Sequence, residues 1–220
     1  MIQIHDLALD AADGNLLLEG VRLSVARGGR QLVTGPSGSG KSRLLRVVAG
    51  TERPARGRVT VDGRDLWPGE GAFAHMGRLS LGLAFATGGL LSNLSLRENV
   101  ALPLRMRGTA GQDWAARTDA ALHRLGLQAV AGLRPHAVSA AARKHANLAR
   151  VLALDPDLIL LDDPLEGLDA ADHSVALEVI HGWVSRGKTL LVAQEEPGAL
   201  AALATERLDL HAHLIPWGTP

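Results

Sequence analysis

Eight residues, Gly35 to Ser42 in the order GPSGSGKS, place two glycines, a lysine and a serine at the spacing of a phosphate-cradling loop, G-x-x-x-x-G-K-[ST], with a third glycine between them. Glycines let successive backbone N–H groups curl around an anion without obstruction by Cβ, and a helix that opens directly after the loop adds its positive end. Lys41 would neutralise the β- and γ-phosphates of a nucleotide. Ser42 would set its hydroxyl on Mg²⁺, a cation that keeps several waters and needs few protein ligands. The expected nucleotide contacts are Gly35, Pro36, Ser37, Gly38, Ser39, Gly40, Lys41, Ser42 and Arg43. A second element, LILLDDP from Leu158 to Pro164, is an apolar run ending in paired aspartates. It delivers Asp162 to the carboxyl end of a strand, where ligands of open α/β sheets collect, and Asp162 is expected to hold Mg²⁺ through water. Binding of a nucleoside triphosphate with Mg²⁺ is the chemistry these residues predict.

The rest of the chain must position them. Runs bounded by turn residues at 2–9, 21–25, 30–35 and 58–63 read as strands. The fully apolar runs at 81–85, 158–162 and 189–193 read as parallel strands covered on both faces by helices. Helices are expected at 41–49, 113–125, 139–154 and 170–185, with Gly50 and Gly126 as stop signals for the first two. Between 86 and 150 the strand pattern vanishes, which implies a mostly helical block inserted in one α/β domain. The expected division is a core from 1–85 and 151–220 around a helical subdomain at 86–150.

Composition bounds the partners. Lys+Arg and Asp+Glu each total 23 of 220 residues, so there is no net charge and no basic stripe to suit a nucleic acid. No run approaches eighteen apolar residues, and MIQIHDLALDAADG at the start lacks a secretory pattern, so the expectation is a soluble, cytoplasmic protein. There is no cysteine, hence neither disulfide nor thiolate metal site. His211 and His213 in LDLHAHLIP are expected to alternate onto one strand face. Trp67, Trp114, Trp183 and Trp217 are expected to pack, and Arg97 and Glu98 to begin a solvated helix.

The order of motifs resembles the ATP-binding subunits of ABC transporters across nearly the whole chain. GPSGSGKSRLLRVVAG is similar to that family's Walker A loop and helix, LLSNLSLRENVALPL to the segment after its Q-loop, and LARVLALDPDLILLDDPLEGLDA to its signature helix, Walker B strand and D-loop. GGLLSNLSLRENVALPL and the signature region most resemble the ATPase of phospholipid transporters of the Mla type, which maintain lipid asymmetry. The resemblance implies a P-loop NTPase fold with an antiparallel β subdomain and an inserted helical subdomain. It also implies a homodimer or heterodimer of ATP-binding subunits, in which each ATP lies between one Walker A loop and the partner's signature motif. Integral membrane permease subunits would hold that dimer at the cytoplasmic face of the inner membrane. Ser139, Ala140, Ala141 and Asp169 would then be the contacts made across the dimer.

Several positions depart from the family pattern. An adenine-stacking aromatic is replaced by Ala12 and the Q-loop glutamine by Ala86; the catalytic glutamate becomes Asp163 and the switch histidine Gln194. The signature LSGGQ becomes VSAAA, Val138 to Ala142, with Ala140 and Ala141 in place of its glycines. Asp163 remains a base but is one methylene shorter, and about 1 Å of misplacement costs on the order of 100-fold in rate. The expectation is an ATP-binding subunit with weak or absent hydrolysis. Two alternatives stay open: an ATPase active only in a heterodimer or on its permease, and a P-loop kinase or nucleotide sensor.

Overall fold

A computed structural model describes residues 1–11, 15–68, 80–87, 89–108 and 111–215. Ala12 and Trp217 lie outside the described residues. Two sheets share the molecule. Strands β1 (Ile2–Asp10), β2 (Leu16–Val25), β4 (Arg56–Val61) and β5 (Arg64–Asp65) form an antiparallel sheet in the order β2-β1-β4-β5. Strands β3 (Arg30–Thr34), β6 (Leu81–Ala84), β7 (Leu158–Asp162), β8 (Thr189–Gln194) and β9 (Glu206–Asp209) form a parallel sheet in the order β6-β7-β8-β3-β9. Every residue of β7 and β8 is buried, which is why both read as continuous apolar runs rather than alternating ones.

The phosphate loop joins β3, an interior strand of this sheet between β8 and β9, to helix α1 (Lys41–Val48). Leu44, Leu45, Val47 and Val48 bury one face of α1 in the core shared with the antiparallel sheet. The remaining helices are α2 (Leu96–Met106), α3 (Gly111–Arg124), α4 (Ala140–Leu154) and α5 (Ala170–Ser185). Between β6 and β7 the described residues contain helices and turns and no strand. The first two turns of α2 carry a capping box: Ser95 accepts from the Glu98 N–H, and the Glu98 carboxylate accepts from the Ser95 N–H. That is the helix start expected at Arg97 and Glu98. Helix α4 starts at Ser139, whose Oγ accepts from the Ala142 N–H at 3.0 Å, and buries His145 to Ala149 against its neighbours. Trp183 is fully buried in the core that unites α2, α3, α4 and α5 with the parallel sheet, and Trp114 packs at its edge.

The carboxyl-terminal segment differs from the sequence reading. LDLHAHLIP does not continue as one strand: β9 stops at Asp209, whose carboxylate accepts from the His211 N–H at 3.0 Å and caps a single 3₁₀ turn, Leu210–His213. His211 and His213 therefore do not alternate onto a strand face, and His213 Nδ1 instead meets the Glu19 carbonyl at 3.2 Å. Among the described residues no helix is long and apolar enough to cross a membrane.

Candidate functional site

The loop between β3 and α1 turns through conformations that side chains resist. Gly38 and Gly40 have φ of 79° and 90°, and a Cβ on Gly40 would come within 2.9 Å of Leu18 Cδ1. Lys41 is buried and folds back over the loop, donating to the carbonyls of Gly35 at 2.8 Å and Pro36 at 2.9 Å. Ser39 is also buried, and its Oγ has no hydrogen-bond partner. Such an orphaned hydroxyl, in a glycine-rich loop that opens a helix, suits an anion that would accept from it. Arg43 is engaged elsewhere, because its guanidinium pairs with Glu52, which also takes Arg46 at 2.8 Å.

Asp162, the last residue of β7, meets the loop directly. Its Oδ1 accepts from the Ser42 hydroxyl at 2.9 Å, so the two residues expected on Mg²⁺ share one point of the site. Burial pushes the Asp162 carboxyl above the ordinary aspartate range, against the Ser42 hydroxyl, the Ala86 N–H and the nearby Arg46 and Lys41 cations, which pull it down. A divalent cation at this point would replace the missing countercharge, and the oxygen-only donor pair fits Mg²⁺. Asp163 follows in a left-handed conformation with φ of 40°. Burial and the carboxylates of Asp162 and Glu166 raise its carboxyl as well, while Lys41 and the Glu195 N–H act in the other direction.

The structure brings most of the expected residues together. A cleft of about 250 Å³ is lined by Ser37, Gly38, Gly40, Lys41, Ser42, Arg43 and Asp163, and also by Glu166 and Glu195. Neither glutamate was expected. Glu166 stands in PLEGLDA between the two aspartates that drew attention, and its place in the cleft follows from the turn after β7, not from spacing. Gln194 is buried at the end of β8 and lines an adjoining cleft of about 400 Å³ with Asp163, Glu166 and His173. Its amide donates to the carbonyls of Glu196, at 2.6 Å, and Pro197, so the donors at this position close their own loop.

Other expected residues lie apart. Ala140 and Ala141 line a separate cleft of about 380 Å³ with Ala86, Thr87, Lys144 and the Glu166–Leu168 turn. Asp169 caps α5, its Oδ1 accepting from the N–H groups of Ala171 and Asp172 at 2.9 Å each. None of Ser139, Ala140, Ala141 and Asp169 lines the phosphate-loop cleft.

A strand-loop-helix phosphate cradle, facing an acidic strand end and backed by an antiparallel sheet, coincides with a family match. Residues 18–166 fit the profile described as ABC transporter. The chain belongs to the ABC transporter family. Within it, this chain is an ATP-binding component, similar to the taurine import ATP-binding protein TauB of Pseudomonas aeruginosa, with 36% identity over 86% of this chain and 70% of that protein. It is similar also to the intermembrane phospholipid transport system ATP-binding protein MlaF of Haemophilus influenzae, at 31% identity over 82% of this chain and 68% of that one. A solved ATP-binding cassette, described as dimeric and in a post-hydrolysis state with ADP and Pi, superposes with a TM-score of 0.81 at 25% identity, covering 89% of this chain and 88% of its own.

Proposed function

We propose that this chain binds MgATP on the Gly35–Arg43 loop and hydrolyses it slowly or not at all, as an ATP-binding subunit on the permease of an ABC transporter. The observation that carries the binding half is the Ser42–Asp162 hydrogen bond beside a closed loop with Lys41 buried over it. Lys41 would exchange the carbonyls of Gly35 and Pro36 for phosphate oxygens, and Ser42 and Asp162 would hold Mg²⁺. Bound Mg²⁺ would neutralise charge between the phosphates, and the amides of the loop would orient them.

The weak-hydrolysis half rests on the residues at the positions where the family resemblance implies catalytic groups. Asp163 carries a shorter arm than glutamate. The donors of Gln194 are held by Glu196 and Pro197, and Ala86 presents a methyl. Ala140 and Ala141 add Cβ atoms where a second copy's phosphate would approach. We place the division of the chain at 1–85 with 151–220 against 86–150, and the molecule at the cytoplasmic face of the inner membrane, bound to its permease. A lipid-related substrate is supported by GGLLSNLSLRENVALPL and the likeness to MlaF, although the likeness to the taurine import protein is the higher of the two in identity and coverage.

The test is a MgATP titration with steady-state turnover, run with and without the cognate permease. Lys41→Ala should abolish binding. Combined restoration by Ala86→Gln, Ala140→Gly, Ala141→Gly, Asp163→Glu and Gln194→His should raise turnover by at least about 100-fold. Robust turnover by the unaltered free chain would refute the proposal. A second reading, activity only on the permease or in a heterodimer, is favoured by the internal engagement of Gln194 and Asp169, both of which a partner surface would have to release. Turnover that appears only with the permease would decide for it.

A further inference from the structure

Lys144 lies in the second turn of α4, next to the cleft that Ala86 and Ala141 share with the turn after β7. It is one of only three lysines in the chain. Its Nζ donates to two backbone carbonyls of that turn, Asp163 O at 2.8 Å and Glu166 O at 2.6 Å. The Asp163 carbonyl belongs to a residue held at φ of 40°, a conformation that costs a non-glycine residue free energy unless its surroundings fix it. Its backbone hydrogen bonds do so: Asp163 N–H donates to Ala193 O at 2.8 Å, and Asp163 O accepts from Lys144 at 2.8 Å and, within the turn, from the Glu166 N–H at the longer distance of 3.4 Å. The ammonium is half-buried. Burial pulls it below the ordinary lysine range, and the carboxylates of Glu166, Asp163 and Asp162 push it back.

We propose that Lys144 is a positioning residue, a clamp between α4 and the Asp163–Glu166 turn, through which nucleotide at the phosphate loop is felt by the helical block. This rests on nucleotide binding as proposed above. Ala86, which lines the same cleft, has no polar side chain with which to make that link. Lys144 is also separable from the docking of α4 as such. His145 is buried with its ring nitrogens 3.2 Å from Leu125 O and 3.1 Å from Asp172 O, and Ala146, Leu148 and Ala149 are buried with it. Removing the ammonium should therefore free the turn without releasing the helix.

The experiment compares amide hydrogen exchange of residues 140–169 in the full chain, with and without MgATP, for the unaltered protein, Lys144→Gln, Lys144→Met and Lys144→Arg, alongside MgATP titrations of each. In the unaltered protein MgATP should slow exchange in both the 163–169 turn and α4 by about tenfold. Lys144→Gln and Lys144→Met should bind MgATP within about twofold of it and lose the slowing in α4, whereas Lys144→Arg, which can still donate to both carbonyls, should keep it. A loss of helix stability alone would raise exchange equally with and without nucleotide and leave the difference intact. Nucleotide-dependent slowing of α4 that survives both substitutions overturns the proposal, as does MgATP binding that never reaches α4 in the unaltered protein. A large loss of affinity in the variants would also overturn it, by making Lys144 part of the binding site. Failure of the unaltered chain to bind MgATP would be seen in the titration itself and would remove the binding reading first.

Discussion

Asp162 is held in two ways that conflict, and the conflict makes it testable. Its Oδ1 accepts from Ser42, which favours the charged form, yet burial dominates and raises the carboxyl. A carboxyl whose folded pKa lies above its unfolded value contributes stability while protonated, below the unfolded pKa, and loses it as pH rises through the folded one. Without a cation the ionised Asp162 is thus a cost to the fold at neutral pH, one that Mg²⁺ would remove. Asp162→Asn keeps an acceptor for Ser42 and deletes the charge. In nucleotide-free, Mg²⁺-free buffer at pH 7.5 the variant should melt about 2 °C above the unaltered protein, with the gap closing as pH falls into the ordinary aspartate range. The rise in melting temperature that MgATP gives the unaltered protein should be absent in it. Scanning fluorimetry across pH checks both, and a variant that is less stable at pH 7.5 would show that the Ser42 hydrogen bond outweighs burial.

At the scale of the element, α4 shows what the sequence discloses and what it hides. Its start was legible because a serine before an alanine-rich run supplies an acceptor for one of the four N–H groups that a helix opening leaves unpaired, and Ser139 Oγ does accept from Ala142 N–H. Ser139→Ala should cost about 1 kcal/mol of stability in urea unfolding and Ser139→Gly only a few tenths. Equal losses would mean that the serine acts through something other than its cap. Glu98 at the start of α2 behaves alike: hydrogen bonds from Ser95 hold its carboxyl below the ordinary range. Its support for the helix is present above that range and fades as pH falls through the lowered value. What α4 hides is Lys144, whose partners are main-chain carbonyls about twenty residues away that no side-chain pattern announces. The fully apolar β7 and β8 were legible for the opposite reason, since burial on both faces leaves a composition signature. The 3₁₀ turn at Leu210–His213 was not, because Asp209 capping competes locally with an alternating pattern that would equally suit a strand.

Taken as a whole molecule, the chain carries its phosphate loop and its α4 start in separate clefts, so in one copy Ala140 and Ala141 cannot complete the site around Lys41. If they act on nucleotide, they act on a second copy's, as the proposed dimer requires. Alanine rather than glycine at these two positions would have two opposed effects. Alanine suits the first turn of a helix better than glycine by up to about 1 kcal/mol per residue, so α4 is firmer as it stands. The same Cβ atoms would keep backbone N–H groups from approaching a second copy's phosphate closely. On the proposed reading a firm helix and poor closure would be one trade, and both sides can be measured on one pair of proteins. With Mg²⁺ and a non-hydrolysable ATP analogue, the Ala140→Gly, Ala141→Gly double variant should dimerise at least about tenfold more tightly than the unaltered chain, a gain of about 1.4 kcal/mol. Its nucleotide-free melting temperature should be lower. Sedimentation velocity over a concentration series reads the first and thermal unfolding the second. Equal dimerisation of the two proteins would mean that the alanines are accommodated, because the α4 start then does not limit how closely two copies meet.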